Sequence, residues 1–402
     1  MSTTTTAQQT GKPRVIYRID PRSFQDTDGD GYGNLEGITS RLDHITSLGV
    51  DAIWLSPLLT EDETGEVTID QRIGDGDDLA DLAEQAHDAG LNVFVDPSAY
   101  GEGDEPTATL VLEAGWHGVD GAFEPEWAAV GNESTGMALG EFALFADMGD
   151  DVYDADGYDA AAAYAADPTD PRIIRRAKAR MLVRQLAAAT PIINQGEEIG
   201  MLNPAAAPMQ WDATTYAGFT APYAPTAPWL PLGIDRATAN VKAQRRDPES
   251  MLAFTKTLTG ILRDDPAFAP AATGARTRGN ELEVLCAGPD DDPDAVMEEG
   301  LGAIDPDASP IVAFIRRASD VVTESGAVMD RHVLVVANLS AHGARIPEPV
   351  AHELGLDLGV YGMGVGGASI DRMLVSTCEP ESTAASMLMG KLSAWEAFAY
   401  VL

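Results

Sequence analysis

Hydrophobic residues in the first half of the chain alternate between the spacing of short buried strands and that of amphipathic helices. The pattern predicts strands at 14–20, 50–57, 91–97, 119–123 and 190–198, with further candidates at 127–131 and 141–148. It predicts helices at 34–49, 77–90, 107–118 and 171–189. Strands that alternate with helices indicate β/α units around a parallel sheet, either open or closed into a barrel.

The pattern changes near residue 270. Short alternating strands are predicted at 280–288, 309–319, 331–340 and 392–402, with an acidic segment at 288–310 between two of them. Such strands, separated by Gly, Asp and Pro turns, are typical of an antiparallel sandwich. A helix at 247–265, with Asp247 as its predicted N-cap, precedes this change. We therefore predict a disordered lead at 1–13, an α/β domain at 14–268 and a β-sandwich at 269–402.

Composition excludes several classes of function. The chain has 402 residues and a formal net charge of −38, which argues against a nucleic-acid partner because phosphate binding needs the opposite sign. No apolar run is long enough to cross a bilayer, and the N-terminus lacks the basic and apolar pattern of a signal peptide. Cys286 and Cys378 stand outside any paired motif, which argues against a disulfide framework or a zinc site. A cytoplasmic protein without a membrane partner is the resulting prediction.

One short stretch, "DTDGDGYGN" at 26–34, has the ligand types that hard cations prefer. An EF-hand loop is excluded, because its twelfth position would need Glu and is Gly37. A shorter turn that binds Ca²⁺ and a polar Asp/Gly turn without metal both remain open. The candidate ligands are the side chains of Asp26, Asp28, Asp30 and Asn34 and the carbonyl of Tyr32.

Four blocks of sequence resemble the α-glucosidase and oligo-1,6-glucosidase branch of the α-amylase superfamily, glycoside hydrolase family 13. They are residues 15–57, residues 189–203, residues 208–232 with 239–254, and residues 392–402. The resemblance implies a (β/α)8-type barrel, here shortened, followed by a C-terminal antiparallel β-sandwich. It also implies that the turn at 26–34 is a structural calcium site, with Asn34 where the family usually has Asp.

The resemblance also implies a catalytic pair of carboxylates, and here the sequence departs from the family. Retaining glycosidases need a nucleophile and an acid/base about 5 Å apart. The fourth-strand motif has Phe123 in place of Arg and Pro125 in place of the nucleophile. The fifth-strand motif has Asn132 in place of the acid. Ordinary hydrolysis by the family mechanism is therefore not expected.

Other family features are reduced or missing. The third-strand motif keeps Asp96 but has Tyr100 and Gly101 in place of an Asn-His pair. No Asn-His-Asp motif is found for a seventh strand, and the long insertion after the third strand is reduced to "GEGDEP". The absence of several partners at once indicates a degenerate member, a pseudoenzyme.

Some carboxylates remain candidates for a rebuilt site. They are Glu133, Glu124, Glu126 and Asp96. Because neighbouring residues of a strand point to opposite faces, Glu124 and Glu126 should point away from where a side chain at 125 would point. Glu197 and Glu198 are interpreted as structural, and His44 and His87 as residues of helix surface or core.

An aromatic-rich loop follows the eighth-strand block. Trp211, Tyr216 and Trp229 are the candidates for binding substrate there, with Tyr223 in the same loop. Aromatic faces stack on sugars, but aromatics also pack loops, and the sequence leaves both interpretations open.

Three hypotheses follow. The first is a non-catalytic protein of α-glucan metabolism that binds maltooligosaccharide or another α-glucoside or regulates its use. The second is an active α-glycosidase or transglycosylase that uses Glu133 with Glu124 or Glu126. The third is a structural partner of an active paralogue or of another protein.

Overall fold

The fold is taken from a computed structural model. It describes residues 13–61, 64–100, 106–112, 115–123, 160–168, 170–188, 190–202, 207–268, 278–287, 310–322, 328–356 and 369–402. The predicted strands at 127–131 and 141–148 lie outside these residues, as do Glu124, Glu126 and Glu133. Within the described residues, no helix has the length and hydrophobicity that crossing a bilayer requires.

The first half of the chain forms a parallel sheet in which the first and the ninth strand are neighbours. The order is β8-β5-β2-β1-β9, and all four pairings are parallel. The strands are β1 (Ile16–Ile19), β2 (Ala52–Leu55), β5 (Asn92–Val95), β8 (Gly121–Ala122) and β9 (Ile192–Asn194). The predicted parallel sheet is confirmed. An early strand, β1, pairs with a late strand, β9, at one edge of this sheet, as the closing of a β/α barrel requires.

Alternate residues of these strands contact two different cores. On the inner face, one cluster contains side chains from β1, β2, β5 and β9 and from Phe123, the residue that follows β8. The other members are Ile16, Ala52, Trp54, Phe94 and Ile192. On the outer face, Tyr17, Ile53 and Val93 pack in the large core beneath the helices. The period of two therefore assigns each strand residue either to the interior of the barrel or to its helical shell.

Helices surround the outer face of the sheet. They are α1 (Pro21–Phe24), α2 (Leu35–Thr39), α3 (Leu42–Ser47), α4 (Gly76–Asp88), α5 (Ala160–Ala166), α6 (Pro171–Ala187), α7 (Val241–Gln244) and α8 (Met251–Asp264). The predicted helices at 77–90 and 171–189 are confirmed. Asp75 caps α4 with a capping box, and Asp170 caps α6.

Two helix predictions need correction at their boundaries. The predicted helix at 34–49 is two helices, because the Thr39 and Ser40 hydroxyls bond back to the carbonyls of Leu35 and Gly37 and Arg41 leaves helical geometry. The N-cap of α8 is Ser250, whose Oγ accepts from the Ala253 N–H, and not Asp247.

The prediction of a helix at 107–118 is wrong. This segment contributes β7 (Pro106–Thr109) and a single 3₁₀ turn, Trp116–Gly118. β7 belongs to a small sheet of order β4-β3-β6-β7, with β3 (Leu59–Glu61), β4 (Val67–Ile69) and β6 (Ser98–Tyr100). Two strands of this sheet, β3 and β6, start three or four residues after β2 and β5. Pairing with β6 therefore overrides the helical spacing of 107–118, and β-branched Thr107 and Thr109 suit a strand.

The C-terminal part is antiparallel, as predicted. Five strands have the order β10-β11-β12-β16-β14, and β13 pairs with β15 in a second sheet. The strands are β10 (Arg278–Ala287), β11 (Ile311–Val322), β12 (Val328–Asn338), β13 (Ala344–Arg345), β14 (Met373–Ser376), β15 (Lys391–Leu392) and β16 (Ala397–Val401). Helices α9 (Glu348–Glu353) and α10 (Pro380–Leu388) accompany them. One core contains Leu334 of the larger sheet and Leu392 of the smaller.

The other face of the larger sheet packs on the α/β domain. Val335 and Ala399 share the large core with Leu182 and Leu186 of α6. Arg316 of β11 is 5 % exposed and donates to the carbonyls of Leu186, Ala187 and Ala188. Burial lowers its pKa to about 10, so the guanidinium stays charged at neutral pH. A strand of the second domain thus caps the C-terminal end of a barrel helix.

Candidate functional site

The carboxyl ends of the parallel strands are where barrel proteins place their reacting groups. Arg18, Trp54 and Phe123 are inward-facing residues at this end of β1, β2 and β8. Phe123 stacks on Trp54, with ring centroids 3.8 Å apart and planes 13° from parallel. The guanidinium carbon of Arg18 lies 4.8 Å from the centroid of the Trp54 ring. The inside of the barrel mouth is therefore occupied by stacked apolar rings with a cation over them.

Asp96 is the one candidate catalytic carboxylate within the described residues. It follows β5, is half-buried, and its Oδ2 accepts from the Ser56 hydroxyl at 2.8 Å. Its Oδ1 accepts from the Ser98 N–H at 2.9 Å, which ties Asp96 to the start of β6. Both oxygens thus help to join β2, β5 and the small sheet. The other three candidates, Glu124, Glu126 and Glu133, lie outside the described residues.

Glu197 has a structural role at the end of β9. It forms a double ion pair with Arg184 of α6, in which Nη1 donates to Oε1 at 2.6 Å and Nη2 donates to Oε2. The N–H and the side-chain amide of Asn194 also donate to this carboxylate, at 3.0 and 3.1 Å. Burial acts to raise the pKa of Glu197, but Arg184 and Asn194 hold it below its ordinary value. This ionised carboxylate fixes β9 to α6. Both of its oxygens accept hydrogen bonds from Arg184 and Asn194.

Glu198, the next residue, points into the helical shell. Its Oε1 accepts from the Tyr17 hydroxyl at 2.7 Å and lies 3.0 Å from Nε2 of His44. Glu198 is fully buried and His44 is 3 % exposed, so His44 is a core residue and not a surface one. Burial and then the charge of Glu198 raise the pKa of Tyr17 well above its ordinary value. The triad joins β1, α3 and the turn after β9.

The acidic turn at 26–34 brings three carboxylates together. Asp26, Asp28 and Asp30 can each offer an oxygen such that all three oxygens lie within 4.8 Å of one another. Buried Asp26 accepts from the N–H groups of Gly29 and Gly31, and Asp28 and Asp30 accept from the N–H two residues ahead. One oxygen of each carboxylate thus lies near one oxygen of the other two, and this grouping of oxygen ligands fits a hard cation.

Two other candidate ligands of this turn have additional contacts. The Asn34 Oδ1 accepts from the Gly37 N–H at 2.8 Å and so caps α2, and it also accepts from the Thr27 hydroxyl at 3.0 Å. The Tyr32 ring stacks on Trp229 with centroids 5.4 Å apart. Gly31 has a φ of 97°, and a Cβ there would lie 2.5 Å from the Ala227 carbonyl. The turn therefore packs closely against the aromatic-rich loop.

Two of the three aromatic candidates for substrate binding pack against protein. Trp211 is 5 % exposed, meets Phe24 and His44 edge to face, and lies under the guanidinium of Arg41. Trp229 stacks on Tyr32 and donates its Nε1–H to the Arg22 carbonyl at 2.9 Å. Substrate stacking on Trp211 does not fit this burial. Tyr216 is half-buried and Tyr223 is 87 % exposed.

Sequence reasoning missed the stack of Trp54 on Phe123 and the pairing of His44 with Glu198. The strand period contained a signal for the first, since Arg18, Trp54 and Phe123 occupy inward positions of three strands. No local pattern signals the pairing of His44 with Glu198, because the two residues are 154 positions apart in the sequence.

Comparison with known sequences gives matches in two parts of the chain. The profile described as "Alpha amylase, catalytic domain" matches residues 18–104 and 162–269. A probable alpha-glucosidase of Rhizobium meliloti (strain 1021) is 49% identical over 89 residues, which are 20% of this chain and 16% of the relative. The probable oligo-1,6-glucosidase 2 of Bacillus subtilis (strain 168) is 44% identical over 92 residues, which are 21% of this chain and 16% of the relative. These alignments thus span about a sixth of either relative.

Comparison with solved structures extends over nearly the whole chain. The Bacillus licheniformis trehalose-6-phosphate hydrolase superposes with a TM-score of 0.56 at 14% identity, covering 97% of this chain and 99% of its own. The trehalulose synthase MutB of Pseudomonas mesoacidophila MX-45 gives a TM-score of 0.58 at 16% identity, covering 96% and 98%. These similarities show the fold, a (β/α)8 barrel with a C-terminal antiparallel β-sheet domain.

Proposed function

Because residues 18–104 and 162–269 belong to the α-amylase family, we propose that this protein acts in α-glucoside metabolism by binding or regulation, without hydrolysis. The relatives found by sequence include an oligo-1,6-glucosidase, and one structural neighbour was solved with the substrate sucrose. The proposed ligand is accordingly maltooligosaccharide or another α-glucoside.

The main observation in support of a protein without hydrolytic activity is the stack of Phe123 on Trp54. Phe123 stands where the family motif has Arg, beside the position of the nucleophile. An aromatic ring there, 3.8 Å from Trp54, supplies no positive charge to hold a carboxylate in its ionised form. Pro125 and Asn132 stand at the nucleophile and acid positions, and neither side chain can attack an anomeric carbon or protonate a leaving oxygen.

The geometry of Asp96 supports the same proposal. Its two oxygens accept hydrogen bonds from Ser56 and Ser98, which stabilise the junction of the barrel with the small sheet. Asp96 thus has a structural use at the mouth that requires no reaction. The second hypothesis, a rebuilt acid and nucleophile pair, would have to use Glu133 with Glu124 or Glu126.

Two measurements on the full chain test this function. Calorimetric titration with maltose, isomaltose and longer α-glucans should show binding. Assays on nitrophenyl α-glucosides should show no turnover above background. Turnover that disappears in Glu133→Gln but persists in the exposed control Glu84→Gln would replace the proposal by the rebuilt-site hypothesis. If none of the glucans binds and an active paralogue co-purifies with the chain, the structural-partner hypothesis would be favoured instead.

We also propose that Asp26, Asp28 and Asp30, with Asn34 and the Tyr32 carbonyl, hold one structural Ca²⁺. The grouping of three carboxylate oxygens within 4.8 Å of one another supports it. A cation that binds only the native state stabilises it by mass action, by about 2.7 kcal/mol at a hundredfold excess over its dissociation constant. The melting temperature should therefore rise with Ca²⁺ relative to chelator, and Asp28→Asn should reduce this rise. Equal melting temperatures under both conditions would contradict the site.

A further inference from the structure

A pocket of about 890 Å³ lies on the outside of the barrel, between the loop at 211–222 and α7. Arg18, Trp54, Asp96 and Phe123 do not line it, so it is distinct from the barrel mouth. Its polar lining includes Arg41, Asp212, Thr220, Lys242, Arg245 and Arg246. The volume falls within the range of pockets that take up small molecules.

The charge of this pocket is opposite to that of the whole protein. Acidic residues outnumber Lys and Arg by 64 to 26 in the chain, but four basic residues and one acidic residue line the pocket. Lys242, Arg245 and Arg246 are exposed, and none of them forms an ion pair with a described residue. Four cations against the single carboxylate of Asp212 make this pocket a local site of positive potential in an acidic chain.

Arg41 is the cation that the fold holds in place. Its Nε and Nη2 donate to Oε1 of Gln25 at 2.8 and 2.5 Å, and its guanidinium lies 4.2 Å from the centroid of the Trp211 ring. Gln25 is itself fixed, because its Nε2 donates to the Phe219 carbonyl. The partner of Arg41 is thus a neutral amide, which orients the guanidinium without neutralising it.

The electrostatic surroundings of Arg41 agree with this picture. Burial, and then the positive charge of Arg245, lower the pKa of Arg41, while Asp212 acts in the opposite direction. The Asp212 Oδ1 accepts from the N–H and the hydroxyl of Thr214 at 2.9 and 2.6 Å. Arg41 and Arg245 are therefore close enough to repel each other, and an anion between them would relieve that repulsion.

Thr220 provides an independent sign of a ligand. Its side chain is 3 % exposed and lines the pocket, and its Oγ1 has no hydrogen-bond partner within the described residues. A buried hydroxyl without a partner costs about 1–3 kcal/mol. The Oγ1 atom is itself buried, so a rotation about χ1 would bring the hydroxyl to the pocket, where a ligand oxygen would accept its hydrogen bond.

We propose that this pocket binds a small phosphorylated metabolite, with its phosphate held by Arg41, Arg245 and Arg246 and by the Thr220 hydroxyl. Guanidinium groups match the oxygens of phosphate in two-point hydrogen bonds, and a phosphate dianion matches the excess of positive charge. The volume beyond the phosphate leaves space for an organic group. The pocket is independent of any glucoside site at the barrel mouth.

Calorimetric titration of the full chain at constant ionic strength tests this site, with inorganic phosphate, glucose 6-phosphate and glucose as probes. Both phosphates should bind, and glucose alone should show no binding at this pocket. The double variant Arg245→Gln/Arg246→Gln should weaken phosphate binding at least about tenfold. Thr220→Val, which removes the hydroxyl at nearly constant volume, should weaken it about fivefold. Arg345→Gln/Arg372→Gln, at two exposed arginines of the second domain, is the control with the same change of charge.

Several results would overturn the proposal. One is equal weakening in Arg345→Gln/Arg372→Gln and in the pocket double variant, which would mean general attraction to positive charge. Another is binding of inorganic phosphate without binding of glucose 6-phosphate, which would exclude an organic phosphate. Unchanged binding in both pocket variants would also refute it. Melting temperatures of all variants identify any loss of binding that comes from unfolding.

Discussion

At the scale of single residues, two histidine–carboxylate pairs of equal geometry differ in burial. His44 lies 3.0 Å from Glu198, with exposed side-chain fractions of 3 % and 0 %. His87 lies 2.9 Å from Asp120, with exposed fractions of 23 % and 19 %. The Oε2 of Glu198 has no hydrogen-bond partner in the described part of the chain. Glu198 therefore depends on His44 and Tyr17 for its interactions.

We predict that His44→Leu destabilises the protein by about 3 kcal/mol, because it leaves a buried carboxyl with one fewer partner. His87→Leu should cost about 1 kcal/mol or less, since that pair is partly exposed to solvent. Urea unfolding curves of both variants provide the measurement. Equal losses of unfolding free energy would mean that burial does not decide the value of these pairs.

At the scale of secondary-structure elements, two contacts of charged side chains hold α6, one over 13 residues of sequence and one over 130. Glu197 connects the turn after β9 to Arg184 of α6, and Arg316 of β11 covers the C-terminal carbonyls of the same helix. Both contacts lie at the C-terminal end of α6, one from a turn of its own domain and the other from a strand of the second domain. Losing either contact should weaken the packing of the helix.

The Glu197 contact should depend on pH. The folded-state pKa of Glu197 lies below its ordinary value, so the stability it contributes is present above about pH 4.5 and is lost as pH falls through the folded-state pKa. We expect Glu197→Gln to cost about 2 kcal/mol at pH 7 and much less near pH 3. Urea unfolding across this pH range measures the difference. A constant difference, or an equal change in the exposed control Glu84→Gln, would contradict this linkage.

The Arg316 contact has a matched control on the same strand. Arg316→Met removes three hydrogen bonds to buried carbonyls and should cost about 3 kcal/mol. Arg317 faces the opposite side of β11 and pairs with the exposed Glu283 at 2.6 Å, so Arg317→Met should cost less than about 1 kcal/mol. Thermal and urea unfolding compare the two. A larger loss in Arg317→Met would mean that the inter-domain cap has little energetic weight.

At the scale of the whole molecule, the net charge of −38 is the dominant electrostatic feature. Like charges repel one another more in the compact state than in the unfolded chain. Salt screens this repulsion, with a Debye length that falls from about 30 Å at 0.01 M to about 10 Å at 0.1 M. Stability should therefore rise with ionic strength.

We expect the melting temperature to rise by about 2 °C or more between 0.01 M and 0.5 M NaCl in the presence of chelator. The chelator separates this effect from cation binding at the turn of residues 26–34. An uncharged cosolute at the same osmolality serves as the control. A melting temperature that falls with salt would show that attractive ion pairs, such as the contact of Arg184 with Glu197, outweigh the general repulsion.

The sequence by itself determined the features that depend on local spacing. Apolar runs located the parallel strands, the period of two indicated the antiparallel strands after residue 270, and the helices at 77–90 and 171–189 followed from the period near 3.6. The acidic turn was equally visible, because its three carboxylates are separated by single residues. The resemblance to the family motifs also predicted substitutions at Phe123, Pro125 and Asn132, and this assignment stays a prediction.

Only the tertiary structure decided the features that depend on distant partners. Residues 106–109 form a strand because β6 offers a pairing edge, although the local spacing is helical. Trp54 stacks on Phe123, 69 residues away, and His44 meets Glu198, 154 residues away. Arg316 caps α6 from 130 residues away. Such contacts follow from how strands and helices pack around a common core, and no pattern within one segment encodes the position of the other.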